Sequence, residues 1–226
     1  MFFRRLLLPY KLTPLLFIIT AGCKKTNEKA FTLFTDYYPL KLQSCNIYSV
    51  DSTHYNDFNH TETQFLFELK DSVVSVIEDD SSRYTVRIER YKREPGKNWN
   101  FQKVITRTIT GRRAEEFIDN QRFVRLIFPP KPREVWNGNT YNNLGRQEYI
   151  IVNAHIPFTE GNTSADSVVT VKQIDENNLI REDTAWEVYA KNIGLIKKEV
   201  KALNKDIGSG KILSGHTYSM LLKSYK

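Results

Sequence analysis

From about residue 47 onward, apolar and polar side chains alternate with a period of two. Phe65, Phe67 and Leu69 alternate with Gln64, Glu68 and Lys70, and Tyr84, Val86 and Ile88 alternate with Thr85, Arg87 and Glu89. Successive residues of a strand point to opposite faces, so the pattern predicts strands with one buried and one wet side. The same reading predicts strands over residues 47–51, 73–78, 101–110, 123–128, 149–158, 167–174, 186–200 and 217–223. Turn-forming clusters fall between these runs: Asp79-Asp80-Ser81-Ser82, Pro95-Gly96, Asn137-Gly138, Gly161-Asn162, Asn177-Asn178 and Gly208-Ser209-Gly210. Such short connections make successive strands antiparallel. Helix signals are sparse. Ala114, Glu115 and Glu116 predict one short helix over 112–120, and 31–38 holds another turn or two. The expected fold is mainly β, a single curved antiparallel sheet or half-barrel with one or two short helices.

Two of these strands have mixed faces. Over 149–158, Ile150, Val152, Ala154, Ile156 and Phe158 make the expected core face. Tyr149, Ile151, Asn153, His155 and Pro157 make an amphipathic one, as on the inner wall of a curved sheet or a partly covered cleft. Phe101, Lys103, Ile105, Arg107 and Ile109 share a face on which long cationic stems would cover apolar surface while their charges stay wet. Gly194, between Ile193 and Leu195, allows a sharp bend or a close backbone approach.

The first 23 residues follow a different pattern. A basic start, Met1-Phe2-Phe3-Arg4-Arg5, leads into an apolar run from Leu12 to Thr20, then Ala21-Gly22-Cys23. That run is too short for a bilayer core, which takes about 20 residues, and reads as the h-region of a signal peptide. The segment resembles a bacterial lipoprotein signal with its lipobox, although Thr20 stands where Leu is more usual. The resemblance implies cleavage after residue 22 and lipidation of Cys23, so that an N-terminal acyl anchor holds the protein on a membrane. Residues 23–30 then form a polar tether, and 31–226 remain for a single antiparallel β-rich domain. The implied location is the cell envelope, as an outer-membrane lipoprotein. Lys24-Lys25, in place of an acidic run after the cysteine, points to a periplasm-facing position.

Composition narrows the chemistry. The net charge of +7 falls to +4 when Arg4, Arg5 and Lys11 leave with the leader, and the remaining charges are interspersed, which excludes a nucleic-acid binder. Cys23 and Cys45 are the only cysteines, so no disulfide framework is available, and Cys45 is expected to be buried. His54, His60, His155 and His216 are scattered without zinc-ligand spacing; His54 and His60, near Asp51 and Asp57, are the nearest approach to a metal cluster. No nucleophile elbow, P-loop or dinucleotide fingerprint occurs, so neither metal nor cofactor is expected. Glu115-Glu116 and Asp79-Asp80 are sequence neighbours, whose side chains diverge on a strand. Trp99, between Asn98 and Asn100, and Trp136, before Asn137, could stack on a sugar ring while the amides bond its hydroxyls. With His155 they form the candidate ligand-binding set. Trp186, inside an alternating strand, reads as core.

Several blocks carry a further resemblance. Tyr37-Tyr38-Pro39-Leu40-Lys41, Tyr48-Ser49-Val50-Asp51-Ser52, Phe128-Pro129-Pro130, Trp136-Asn137-Gly138-Asn139 and the run from Glu187 to Glu199 are similar to uncharacterised lipoproteins of Bacteroidota, whose usual wording is Y-F-P-L-x-x-G early and Y-A-x-G-V-G-L-V late. Gln43-Ser44 replaces the early glycine and Asn192 the first late one. More loosely, the late block is similar to one in half-barrel envelope proteins of the LolA/LolB type, in which a curved sheet wraps an apolar cavity. The function expected first is a non-enzymatic envelope lipoprotein that binds a partner protein or an apolar ligand. A glycan-binding module and a hydrolase follow. A carrier of apolar ligands needs a dry cavity of several hundred Å³ lined by Phe, Leu and Ile, a glycan binder needs exposed coplanar aromatics, and a hydrolase needs His155 or a carboxylate within reach of a nucleophile.

Overall fold

Period-two alternation builds one antiparallel sheet. The computed structural model describes residues 32–78 and 83–226, so the leader, Cys23, the tether and the predicted turn at 79–82 lie outside the described residues. The strands are β1 (Cys45–Asn56), β2 (Thr61–Glu78), β3 (Tyr84–Arg93), β4 (Asn100–Thr110), β5 (Arg113–Ile118), β6 (Gln121–Ile127), β7 (Val135–Asn137), β8 (Glu148–Glu160), β9 (Thr163–Asn177), β10 (Arg181–Ala190), β11 (Gly194–Lys205) and β12 (Ile212–Tyr225). Their order is β6-β5-β4-β3-β2-β1-β12-β11-β10-β9-β8-β7. Two six-stranded meanders therefore meet where β1 pairs with β12, and the sheet curls until its edges, β6 and β7, approach each other. At that seam Val124 N–H donates to the Gly138 carbonyl at 2.9 Å, and Trp136 Nε1 donates to the Val124 carbonyl at 2.8 Å. The result is a nearly closed barrel of twelve strands.

One end of the barrel is plugged. Residues before β1 include a 3-10 turn, Thr35–Tyr37, the one helical element among the described residues. This segment is held by Asn192 N–H donating to the Asp36 carbonyl at 2.7 Å and Gln43 N–H donating to the Val73 carbonyl at 3.0 Å. Tyr37 and Tyr38 are buried beneath it with Tyr48, Phe128, Tyr149, Ile151, Val169, Tyr189 and Ile196. Burial of this aromatic-rich set, at ~25 cal/mol per Å² of apolar surface, is what holds the plug down. The opposite rim carries the turns β1–β2, β3–β4, β9–β10 and β11–β12.

The structure corrects the sequence reading at several points of the fold. Residues 112–120 are not helical; Arg113–Ile118 form β5, because hydrogen bonding to β4 and β6 on both sides outweighs a weak helix propensity. The single strand expected over 186–200 is two, β10 and β11, reversing at Lys191-Asn192-Ile193. Asn192 takes a left-handed φ of 64°, which asparagine tolerates, and Gly194 (φ 87°) follows, where a Cβ would sit 3.2 Å from Pro39 Cδ of the plug. On β8 the faces exchange: Tyr149 and Ile151 are buried while Ile156 is exposed, because register shifts at Ile151/Asn153, Ala154/Ile156 and Ile156/Phe158 interrupt the alternation. Cys45 is half-buried rather than buried, its Sγ 3.7 Å from Ser72 Oγ.

Candidate functional site

The lumen of the barrel is charged. On β2, β3, β4, β5 and β10, the alternation that buries Leu69, Ile88, Ile105, Ala114 and Tyr189 also turns Asp71, Arg90, Arg107, Glu116 and Glu187 inward. Arg125 of β6 and Lys198 of β11 complete the layer. Arg90 grips Asp71 in a fork, Nε and Nη2 each 2.7 Å from a carboxylate oxygen. Arg107 Nε donates to Glu116 at 2.8 Å, and Arg125 Nε donates to the other oxygen of Glu116 at 3.0 Å. Lys198 Nζ donates to Glu187 at 2.8 Å, and the Tyr189 hydroxyl donates to its second oxygen. Arg125 Nη1 lies 3.8 Å from Glu187, joining the two halves of the network.

Burial alone would raise the Glu116 carboxyl. The Arg125, Arg107 and Arg90 guanidiniums and the Lys198 ammonium outweigh it and hold the group far below the ordinary carboxylate range. Glu187 is lowered in the same way, against its desolvation, by Lys198 and Arg125. Desolvation pushes Tyr38 well above the ordinary phenol value and Tyr149 up to about 12, so both hydroxyls stay protonated. Among the described residues of this layer, four cations (Arg90, Arg107, Arg125 and Lys198) face three carboxylates (Asp71, Glu116 and Glu187).

Two small cavities adjoin this layer. The inner one, about 100 Å³, is walled by Arg90, Arg107, Glu116, Arg125, Glu187 and Lys198. The other, about 130 Å³, opens at the plugged end between the plug and the β10–β11 turn, beside Lys41, Asn46, Asp71, Gly194 and Lys226. Arg107, Tyr38 and Leu195 line both. Arg107 is thus the one cation at the junction, its side chain only 13% exposed, with Nη2 3.9 Å from Asp71 and therefore beyond hydrogen-bond reach. Its Nη donors are available to a group seated there. These volumes and linings differ from the dry cavity an apolar-ligand carrier requires. An apolar-walled recess of about 430 Å³ does exist, away from this charged layer, among Val50, Leu66, Phe67 and Pro95 of β1, β2 and the β3–β4 turn.

The residues singled out from sequence are not brought together. Trp99, in the β3–β4 turn, is half-buried beneath two cations, with Arg93 Cζ 4.4 Å and Lys70 Nζ 4.9 Å from its ring centre. Trp136 is the strut of the seam, edge-on to Tyr149 at 5.8 Å. His155, at φ 61°, is bent toward the plug, where its Nδ1 lies 2.8 Å from the Tyr37 hydroxyl. That hydroxyl is in turn 2.6 Å from Ser167 Oγ, so the tyrosine stands between imidazole and serine. The trio locks the plug to β8 and β9. Trp186 is half-buried, not core; it lines an outer groove with Asp51, Glu199 and Lys201, because its neighbours Ala185 and Glu187 take the buried face. His54 and His60 part company: His54 lies on β1, while His60 closes the β1–β2 turn beside Asp57.

No family model and no curated protein matches the chain. Among solved structures, it is similar to a candidate exported protein of Bacteroides fragilis with a YmcC-like fold. The two share 12% identity over 83% of this chain and 97% of that one, with a TM-score of 0.50. The likeness is one of fold: a curled antiparallel sheet with an inserted N-terminal plug is this chain's architecture, and its lumenal charges have to be read on their own chemistry.

Proposed function

We propose that this is a non-enzymatic lipoprotein of the cell envelope, tethered through Cys23, whose barrel binds a small ligand bearing an anionic group. The observation that carries the reading is the unequal count in the lumen, four cations, of which Arg125 is buried and Arg90, Arg107 and Lys198 are partly buried, against three carboxylates, with Arg107 lining both the inner cavity and the one at the plugged end. An uncompensated buried cation is costly, and a carboxylate or phosphate oxygen that can accept from a guanidinium fork relieves that cost. Lys41, exposed at the mouth, adds attraction on the approach.

Titration with inorganic phosphate or citrate tests this. The expected result is a saturable shift of amide signals around Asn46, Ile193 and Gly194, weakened by added salt and by about fivefold or more in Lys41→Glu. Shifts that stay scattered, or that never saturate, would sink the reading. For the tether, Cys23→Ala should leave the membrane pellet after a carbonate wash, and retention there would refute the lipid anchor.

A partner protein is the second reading, favoured by the rim. Phe58 (96% exposed), Ile207 (69%) and Leu179 (73%) cap the β1–β2, β11–β12 and β9–β10 turns, three hairpins that are neighbours in the sheet. Serine at all three positions should abolish cross-linking of this rim to an envelope protein in intact cells; unchanged cross-links would dismiss the reading.

A further inference from the structure

The geometry points to a second, separate site: we propose that His54 and His216 form a two-histidine site for a divalent transition-metal ion, Cu²⁺ or Ni²⁺ ahead of Zn²⁺, near the rim of the barrel. The two residues come from opposite ends of the described chain and meet only because β1 pairs with β12. In that register Ser52 opposes Tyr218, Thr53 opposes Thr217, and His54 opposes His216. Directly opposed residues of antiparallel strands share a face, with Cβ atoms about 4.5–5.5 Å apart. Here it is the lumenal face, since Val50 opposes Met220 two levels deeper and both are buried.

The rings lie 5.9 Å apart between centres, tilted by 41°. Imidazole nitrogens bind these ions at about 2.0–2.1 Å, and an ion between the two rings fits this separation after small rotations of the side chains. Both histidines are exposed, so an ion reaches them from solvent and water completes the coordination. Phe65 stands edge-on to His54 at 5.4 Å and restricts its ring. Across from His216 on β11 is Ala202, whose small side chain leaves the approach open. Among the described residues no group of three or more His, Cys, Asp or Glu side chains is placed to hold an ion. Two imidazoles with no carboxylate select Cu²⁺ and Ni²⁺ by the Irving–Williams order and disfavour Mg²⁺ and Ca²⁺, which take oxygen ligands.

The test is calorimetric titration of the full chain with Cu²⁺ and with Ni²⁺, alongside His54→Asn, His216→Asn and His60→Asn. One equivalent should bind, each of the first two substitutions should weaken binding at least about tenfold, and His60→Asn should leave it unchanged. In NMR spectra, substoichiometric Ni²⁺ should broaden the ring signals of His54 and His216 before those of His60 and His155. Binding that survives His54→Asn, or that follows His60 instead, overturns the site, as does a wild-type titration without a saturable phase. All three positions are exposed, so loss of fold does not confuse the result.

Discussion

Glu116→Gln is expected to cost about 3–5 kcal/mol in urea-induced unfolding, the penalty for breaking a buried ion network from one side. Glu116 is the acid shared by Arg107 and Arg125, at 2.8 and 3.0 Å, and glutamine returns at most one neutral acceptor to two guanidiniums. Intact, such a network contributes little net stability, because desolvation consumes the Coulombic gain; broken, it leaves buried charge without a partner. The dependence on pH follows the same group. Its folded pKa lies far below its unfolded value near 4.5, so its contribution is complete above about pH 5 and is lost as pH falls toward the folded pKa. The gap between wild type and Glu116→Gln should therefore narrow on acidification below pH 5. A gap that stays constant from pH 7 to pH 3, or a cost under about 1 kcal/mol at pH 7, would show that the two arginines do not depend on this carboxylate.

That network was in plain view in the alternation, and an assumption about charged side chains hid it. In Leu69-Lys70-Asp71, Ile88-Glu89-Arg90, Ile105-Thr106-Arg107 and Ala114-Glu115-Glu116 the charged residue is in phase with the buried apolar one. Read strictly, parity sends Asp71, Arg90, Arg107 and Glu116 into the barrel. The expectation that Arg107 would keep its charge wet came from weighing one strand alone, where a buried guanidinium has no visible partner. Its partner is on the next strand, and only the β4–β5 register, which opposes Arg107 to Glu116, supplies it. Strand positions and most turns were legible because they rest on local pattern. The meeting of β1 with β12, and hence the pairing of His54 with His216, depends on closure across the whole chain and has no local signal. Bulges set the remaining limit: on β8 they exchange the faces, and they aim His155 at Tyr37 rather than at a ligand cleft.

Gly215→Ala should destabilise the barrel by roughly 3 kcal/mol or more, with the loss read as a lowered urea midpoint. Gly215 lies on β12 between β1 and β11, opposite Tyr55 and Leu203, with φ at 123°, a region closed to residues with a side chain. A Cβ there would fall 1.9 Å from the Ala202 carbonyl oxygen, and since that atom is backbone within a ladder, nothing cheap can move aside. Gly96 makes the control. Its φ of 72° is also left-handed, yet a Cβ would meet nothing within 4 Å, so Gly96→Ala should cost only the conformational strain, about 1 kcal/mol. A substantial difference between the two isolates the contact from the strain. The close approach also bears on the histidine pair, because Gly215 immediately precedes His216 and fixes the level at which it opposes His54. If Gly215→Ala folds at reduced stability, β12 must shift against β11 to clear the Ala202 carbonyl, and Ni²⁺ binding should weaken with it, whereas Gly96→Ala should bind as wild type. Equal midpoints for the two alanine variants would mean that β11 and β12 do not approach each other as closely as this register requires.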